Sequence, residues 1–253
     1  MSRLWKSELH LRIGHEHCDV GVWEGPPWRR ECVQQLRGAG TGRVGMDAVL
    51  GLLAASGAEM PKRAQLMIED ELVFYTLLPA ELNWSGVQER AARYFSEALG
   101  MPDLQIEVAL APGGRHWIAA ALPGADLDQW LDALEERQIE VRSVRLALLQ
   151  DLQQVARQLA AHTDVLALVR DHGAMVLRLS DGGLDRMRWE RVDWHDAVEL
   201  LSRLGAERPD DRLHTACLLP ATPTQHAALD LPGRQAGWQV LPALSSVVPG
   251  GLA

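Results

Sequence analysis

Two glycine-bearing turns are the first places in this 253-residue chain where chemistry could be done. Asp171-His172-Gly173 joins two strand-like runs inside "DVLALVRDHGAMVLRLSDGGLDRMRWERVD", residues 164–193, and Asp181-Gly182-Gly183 marks a second turn further on. Glycine lets successive backbone N–H groups close around an anion, so such turns can hold a phosphate. Asp171 and Gly173 are therefore the candidate phosphate-turn residues. A third pattern, Gly40-x-Gly42-x-x-Gly45, satisfies the dinucleotide fingerprint, in which glycines bring a pyrophosphate onto a helix N-terminus. Its flanks do not suit that use. A first strand buried on both faces is a continuous apolar run, whereas "RRECVQQLR" is charged and amide-rich, and Glu69 and Asp70 fall at an expected hairpin tip. A crossover into a helix is the expected role of these glycines; a nicotinamide-dependent oxidoreductase is the enzyme they would otherwise imply.

Metal and nucleophile chemistry find less. In "HEHC", residues 15–18, His15 and His17 share one face of a strand and Cys18 the other, so a zinc ion would need a turn and a distant fourth ligand from His10, Cys32 or Cys217. Polar turn residues are the expectation, with no metal. No G-x-S-x-G elbow occurs, and Ser56, Ser85, Ser96 and Ser180 have no base placed by local spacing, so they are expected as caps and turns and no catalytic residue is assigned.

A formal charge of −9 argues against a protein that tracks a nucleic-acid backbone, which needs a clustered basic face. Three cysteines without CxxC spacing suit a reducing compartment. The first residues, "MSRLWKSELHLRIGHEH", lack the apolar core of a secretory signal. Gly, Pro or charge interrupts every apolar run short of a membrane span, so membrane contact is expected only through a partner. Nine tryptophans stand against two phenylalanines. Most suit core packing, but Trp5, Trp23 and Trp28 gather near the first strands, where exposed members could anchor a partner peptide.

The elements that must position these residues follow from periodicity. "SELHLRIG", "CDVGVWEG" and "RRECVQQLR" predict a three-strand meander, and "MDAVLGLLAASG" a short helix. "RAQLMIED" and "LVFYTLLP" predict a hairpin with Glu69-Asp70-Glu71 at its tip. "SGVQERAARYFSEALG" predicts a helix capped by Ser85 and stopped by Gly100, with Val87, Ala91, Tyr94, Phe95 and Ala98 on one face. Strands "QIEVALAP" and "HWIAAALP", the helix "ADLDQWLDALEERQ", the strand "IEVRSVRLAL" and the helix "LLQDLQQVARQLAAH" follow. Then the pattern resets: three strands over residues 164–192, the helix "WHDAVELLSRLG", the strand "LHTACLLPA", a proline-broken stretch and the strand "GWQVLPAL". Both halves thus open with a meander and continue in α/β alternation. The expected domains are residues 1–162, with an inserted α/β subdomain at about 63–125, and residues 163–253, the boundary falling near His162-Thr163.

Paired meanders, each opening a lobe, resemble the layout of the actin and sugar-kinase ATPase fold, which is ribonuclease H-like. The resemblance implies an α/β, two-lobed fold with mixed sheets, in which the first turn of each meander grips phosphates from opposite sides. Where that fold usually places an aspartate two residues before a glycine, this chain has Arg12-Ile13-Gly14, so a cation replaces the carboxylate that serves the metal. Asp171-His172-Gly173 keeps the spacing, but Ala174-Met175-Val176 follow it instead of further glycines. Where a Gly-Gly step meets the adenosine, the chain has "LLPATPTQ". These departures imply a degenerate fold with lost chemistry: no cofactor, no enzymatic activity, and Asp171 and Gly173 as remnants.

More narrowly, "RAQLMIEDELVFYTLLPAELNWSGVQERAARYFSEALG", "WIAAALPGADLDQWLDALEERQIEVRSVRLAL" and the meander of residues 164–193 resemble the PilM-type proteins of type IV pilus machines and the cytoplasmic domain of the type II secretion L protein. That resemblance implies a cytoplasmic scaffold, peripheral at the inner membrane, that binds the short cytosolic tail of an inner-membrane assembly protein or a secretion motor ATPase, with a homodimer also open. The L protein's transmembrane helix has no counterpart in these segments. Strand addition to a sheet edge would supply main-chain affinity for an extended peptide. The alternative is an actin-fold ATP-binding protein or kinase with divergent phosphate loops.

Overall fold

The computed structural model describes residues 7–26, 29–156, 159, 163–205 and 215–244. Trp5, Trp28 and part of the predicted helix over 148–162 lie outside them.

Strands β1 (Glu8–Ile13), β2 (His17–Glu24) and β3 (Glu31–Ala39) form the first antiparallel meander. Leu9, Leu11 and Ile13 alternate onto the buried face, as the period-2 pattern requires. After the helix α1 (Gly42–Ala55), β4 (Arg63–Ile68) returns parallel to β1. Much later β8 (Glu140–Leu146) adds in parallel to β4, giving the order β3-β2-β1-β4-β8. Met46, Val49, Leu50 and Leu53 of α1 cover this sheet, together with Trp130 and Leu134 of α3 (Gly124–Glu135).

The second sheet repeats the plan. β9 (Thr163–Val169), β10 (Ala174–Ser180) and β11 (Gly183–Glu190) make the meander, and β12 (Thr215–Pro220) and β13 (Gln239–Val240) extend it in parallel on the other side of β9. The order is β11-β10-β9-β12-β13. β9 is buried on both faces from Val165 to Val169, which is why "VLALV" is unbroken by polar residues. Val165, Ala167 and Val169 pack with α5 (Ala197–Gly205) and Leu229 of α6 (Pro223–Gln235). Leu166 and Leu168 pack on the other side with Leu148, Leu152 and Val155 of α4 (Ala147–Val155). The third sheet, order β5-β7-β6, comprises β5 (Phe74–Pro79), β6 (Leu104–Leu110) and β7 (His116–Pro123), with Val87, Ala91 and Phe95 of α2 (Trp84–Leu99) beneath it. The chain is therefore an α/β protein of two five-stranded mixed sheets, each opened by a three-strand meander, plus a small antiparallel sheet.

Four expectations need correction. β4 and β5 are not a hairpin: β4 pairs with β1 and β8, β5 with β7, and the single turn Asp70–Leu72 carries the chain from the first sheet to the third. Local alternation identifies two strands but cannot say whether they pair with each other. Asn83, not Ser85, caps α2, its Oδ1 accepting the Gly86 N–H at 2.8 Å, while Gly100 at φ 64° ends the helix as expected. On that helix Tyr94 and Ala98 face solvent beside the buried Val87, Ala91 and Phe95. Finally, the proline-broken stretch is the helix α6, because Pro223 stands in its first turn, where the N–H is not needed, and Thr222 and Gln225 form a capping box.

Candidate functional site

The turn between β1 and β2 and the turn between β9 and β10 face one another across a cleft of about 560 Å³ lined by His15, Glu16, Asp171, His172, Arg191 and Asp193, among others. The first turn is closed by the Gly14 N–H donating to the His17 carbonyl at 2.9 Å, the second by the Arg170 N–H donating to the Gly173 carbonyl at 2.8 Å. Side chains cross between them. Asp171 Oδ2 lies 3.3 Å from His17 Nε2 and 3.8 Å from an Arg37 nitrogen, and its Oδ1 accepts from Gln225 Nε2 at 3.2 Å. Arg37 also grips Asp19 through two hydrogen bonds of 2.6 and 2.8 Å. His172 stands 3.6 Å from Glu16 and edge-on to His15. Asp171, the carboxylate expected to serve phosphate chemistry, is thus engaged by three side chains of the protein itself.

Gly173 has a packing role. A Cβ there would come within 2.5 Å of both the Glu190 carbonyl oxygen and the Trp189 ring, so β10 can approach β11 only without a side chain at this position. Asp181-Gly182-Gly183 lies at the other end of β10 and is a hairpin turn, with Asp181 at φ 49° and Gly182 at φ 75°. Gly40 and Gly45 serve the crossover from β3 into α1. Gly40 sits at φ 124°, and a Cβ on Gly45 would lie 2.3 Å from the Gly40 oxygen, so the fingerprint spacing reflects a tight strand-to-helix turn. The metal candidates do not converge: Cys18 points into the core, where burial and then Asp19 push its thiol up to about 12, while His17 turns to Asp171. Among the described residues no cluster of three or more His, Cys, Asp or Glu is placed to hold a metal.

Behind the turns lies a charge network that sequence reasoning missed. Arg170, at 1% exposure, donates from Nε to Asp70 Oδ2 and from Nη2 to Asp151 Oδ2, both at 2.7 Å. Its Nη1 meets no acceptor among the described residues. Asp70 Oδ1 accepts from the Leu148 N–H at 2.9 Å and from the Tyr75 hydroxyl at 3.1 Å. Arg12, the residue standing where the fold usually has its metal-serving aspartate, pairs with the buried Glu69. Burial pulls the Arg170 guanidinium down, but Asp70 and then Asp151 outweigh it and hold the group above its ordinary value. Burial raises Asp151, against the opposing pull of Arg170 and Arg12, and raises Tyr75 well above the usual phenol range, with Asp70 adding to the effect. Two guanidinium groups therefore face three buried carboxylates.

The last expected adenosine contact is likewise filled from within. Gln225, fully buried, accepts from the Ala221 and Thr222 N–H groups at 2.8 and 3.2 Å, while Thr222 Oγ1 accepts the Gln225 N–H at 3.2 Å. A helix N-terminus attracts anions through free N–H groups; here the capping box takes that of Gln225, and Pro223 has none to offer.

Twin meander-led sheets with facing first turns define the class: the chain has an actin-like ATPase fold. It is similar to the structure titled PilM-PilN type IV pilus biogenesis complex, at 13% identity and TM-score 0.62, over 92% of this chain and 87% of that one. It is also similar to a Bacteroides thetaiotaomicron protein of actin-like ATPase fold and unknown function, at 12% identity and TM-score 0.59, over 94% and 91% of the two chains. The cytoplasmic domain of EpsL, an inner-membrane component of the Vibrio cholerae type II secretion system, matches at 15% identity and TM-score 0.52, over 86% and 82%. At such identities the likeness is one of fold. No protein-family model matches the chain, and no curated protein matches it in sequence. The fold implies a metal–nucleotide, and the residues present do not fit one. The first carboxylate is an arginine, the second is tied to His17, Arg37 and Gln225, and the charge behind them is already paired.

Proposed function

We propose that this chain is a non-enzymatic cytoplasmic scaffold of a type IV pilus or type II secretion-like assembly platform. It binds the short cytosolic tail of an inner-membrane partner and reaches the membrane through it. The observation that carries this reading is the cleft, where Asp171, the one carboxylate kept in the phosphate turns, is committed to protein side chains, Arg12 pairs with Glu69, and the buried charge behind them is short of cations. Likeness to PilM as found in the PilM-PilN complex, and to the EpsL cytoplasmic domain, supports the setting. Among the described residues no helix is long and apolar enough to cross a membrane. The charge of −9 favours a basic tail, and cytosolic segments beside a membrane span carry an excess of Lys and Arg. An extended tail can add to an outer strand through main-chain hydrogen bonds; β3 and β6 are outer strands, with Val33 and Leu110 exposed on them. A secretion motor ATPase is a further partner of this setting, and pairing of two copies is compatible with it.

The test is calorimetry of the full chain against peptides copying the cytosolic tails of single-span inner-membrane proteins encoded beside it. Micromolar binding of one tail is expected, and indifference to all of them refutes the proposal. A second reading, an ATP-binding protein or kinase, is favoured by the open cleft and the retained Asp171. Magnesium-ATP added to the same chain separates the two: the scaffold predicts no binding heat, whereas micromolar binding lost in Asp171→Asn establishes the second reading. Gly173→Val is unsuitable as a control because it would drive into Trp189 whatever the function.

A further inference from the structure

We infer that Arg170 is an internal clasp that holds the three sheets in one arrangement without a ligand. Its place in the fold carries the inference. Arg170 directly follows β9, the central strand of the second sheet, and opens the turn that faces the cleft. Asp70 begins the turn that leads from the first sheet to the third. Asp151 lies in α4, the helix between the last strand of the first sheet and the first strand of the second. One guanidinium therefore bonds both connections through contacts of 2.7 Å. Asp70 passes the tie onward to the Leu148 N–H in the first turn of α4 and to the Tyr75 hydroxyl on β5 of the third sheet.

The chemistry suits a permanent clasp better than a switch. Arg keeps its charge across the whole accessible pH range, and its planar fork can satisfy two carboxylates at once, which a lysine ammonium on a single point cannot do with the same geometry. The network is buried, so salt and solvent weaken it little. A second tie lies nearer the surface, where Asp171 meets His17 and Gln225. Together these contacts tie the two facing turns and the connections behind them to one another from within the protein. This inference stands on geometry alone and does not depend on which partner the chain binds.

Hydrogen exchange of the full chain tests it, with Arg170→Lys as the first variant and Arg170→Met/Asp151→Leu as the second, which removes a cation and an anion together. In the wild type, millimolar magnesium-ATP should leave the exchange of residues 170–173 and of α4 unchanged. In Arg170→Lys those same amides should exchange at least tenfold faster while α2, which packs on the face of the third sheet away from Tyr75, keeps its protection. Should Arg170→Lys not fold, the double variant decides: faster exchange confined to α4 and the 170–173 turn supports the clasp. Wild-type exchange in either variant overturns it, and so does protection of the cleft amides by magnesium-ATP.

Discussion

Asp70→Asn exchanges one oxygen for an NH2 group and should be among the most costly substitutions of its size in this chain. All four groups that approach the Asp70 carboxylate are donors: Arg170 Nε and Nη2 at Oδ2, the Leu148 N–H and the Tyr75 hydroxyl at Oδ1. Asparagine offers one acceptor and one NH2. If the NH2 replaces Oδ2 it faces the guanidinium; if it replaces Oδ1 it faces a backbone N–H and a phenol. Either rotamer sets donor against donor in a site with no solvent access. Removing one partner of a buried ion pair costs about 3–5 kcal/mol. For a chain of this length each kcal/mol lowers Tm by about 2–4 °C, so a fall of roughly 6–20 °C is expected. Thermal unfolding followed by far-UV circular dichroism at pH 7 measures it. Tyr75→Phe provides the scale, since it removes one donor and leaves three; about 1 kcal/mol should be lost. A fall of less than about 2 °C for Asp70→Asn would refute the reasoning, because it would mean that the network is not formed in solution.

Other consequences follow from the same structure. Asn83→Ala should cost about 1 kcal/mol through loss of the α2 cap, whereas Ser85→Ala should cost a few tenths at most, a comparison made by chemical denaturation. Gly45→Ala should destabilise by about 1–3 kcal/mol through overpacking against the Gly40 carbonyl, with no change in affinity for a nicotinamide dinucleotide, read by fluorescence. At pH 8 the native chain should show one fast thiol toward an aromatic disulfide reagent, Cys32, because it is exposed while Cys18 and Cys217 are buried; all three should react after unfolding. His10, stacked on Trp23, is held below 6.5 mainly by burial, against the pull of Glu8. The folded state then binds fewer protons than the unfolded chain as pH falls through the imidazole range, so stability should decline there, and His10→Gln should flatten that part of the profile.

How far the chain could be understood before its structure depended on the range of each interaction. Local periods were decisive for Leu9, Leu11 and Ile13 on β1, for the unbroken apolar run of β9, and for the stop at Gly100, since alternation, two-sided burial and positive φ each leave their mark within a few residues. The two meanders were legible for the same reason, and they led to the actin-like layout that the sheet order bears out. The tip of the supposed β4–β5 hairpin was a different matter. Glu69-Asp70-Glu71 is the acidic triplet a solvated turn would carry, and only the parallel pairing of β4 with β1 and β8 turns it inward.

The candidate site divides along the same line. Residue type and spacing placed Asp171 in a glycine-bearing turn, and the resemblance to the actin fold implied that Arg12 stands where a carboxylate is usual. Tertiary structure alone decided what Asp171 binds, why Gly173 has no side chain, and that Arg170 joins Asp70, exactly one hundred residues away in sequence, to Asp151. An arginine after an apolar strand is the only local hint of that network. Charge pairs across such a separation have no period or spacing to betray them; they exist only once hydrophobic burial has brought β9, α4 and the Asp70 turn together, and desolvation then leaves each group no partner but the others.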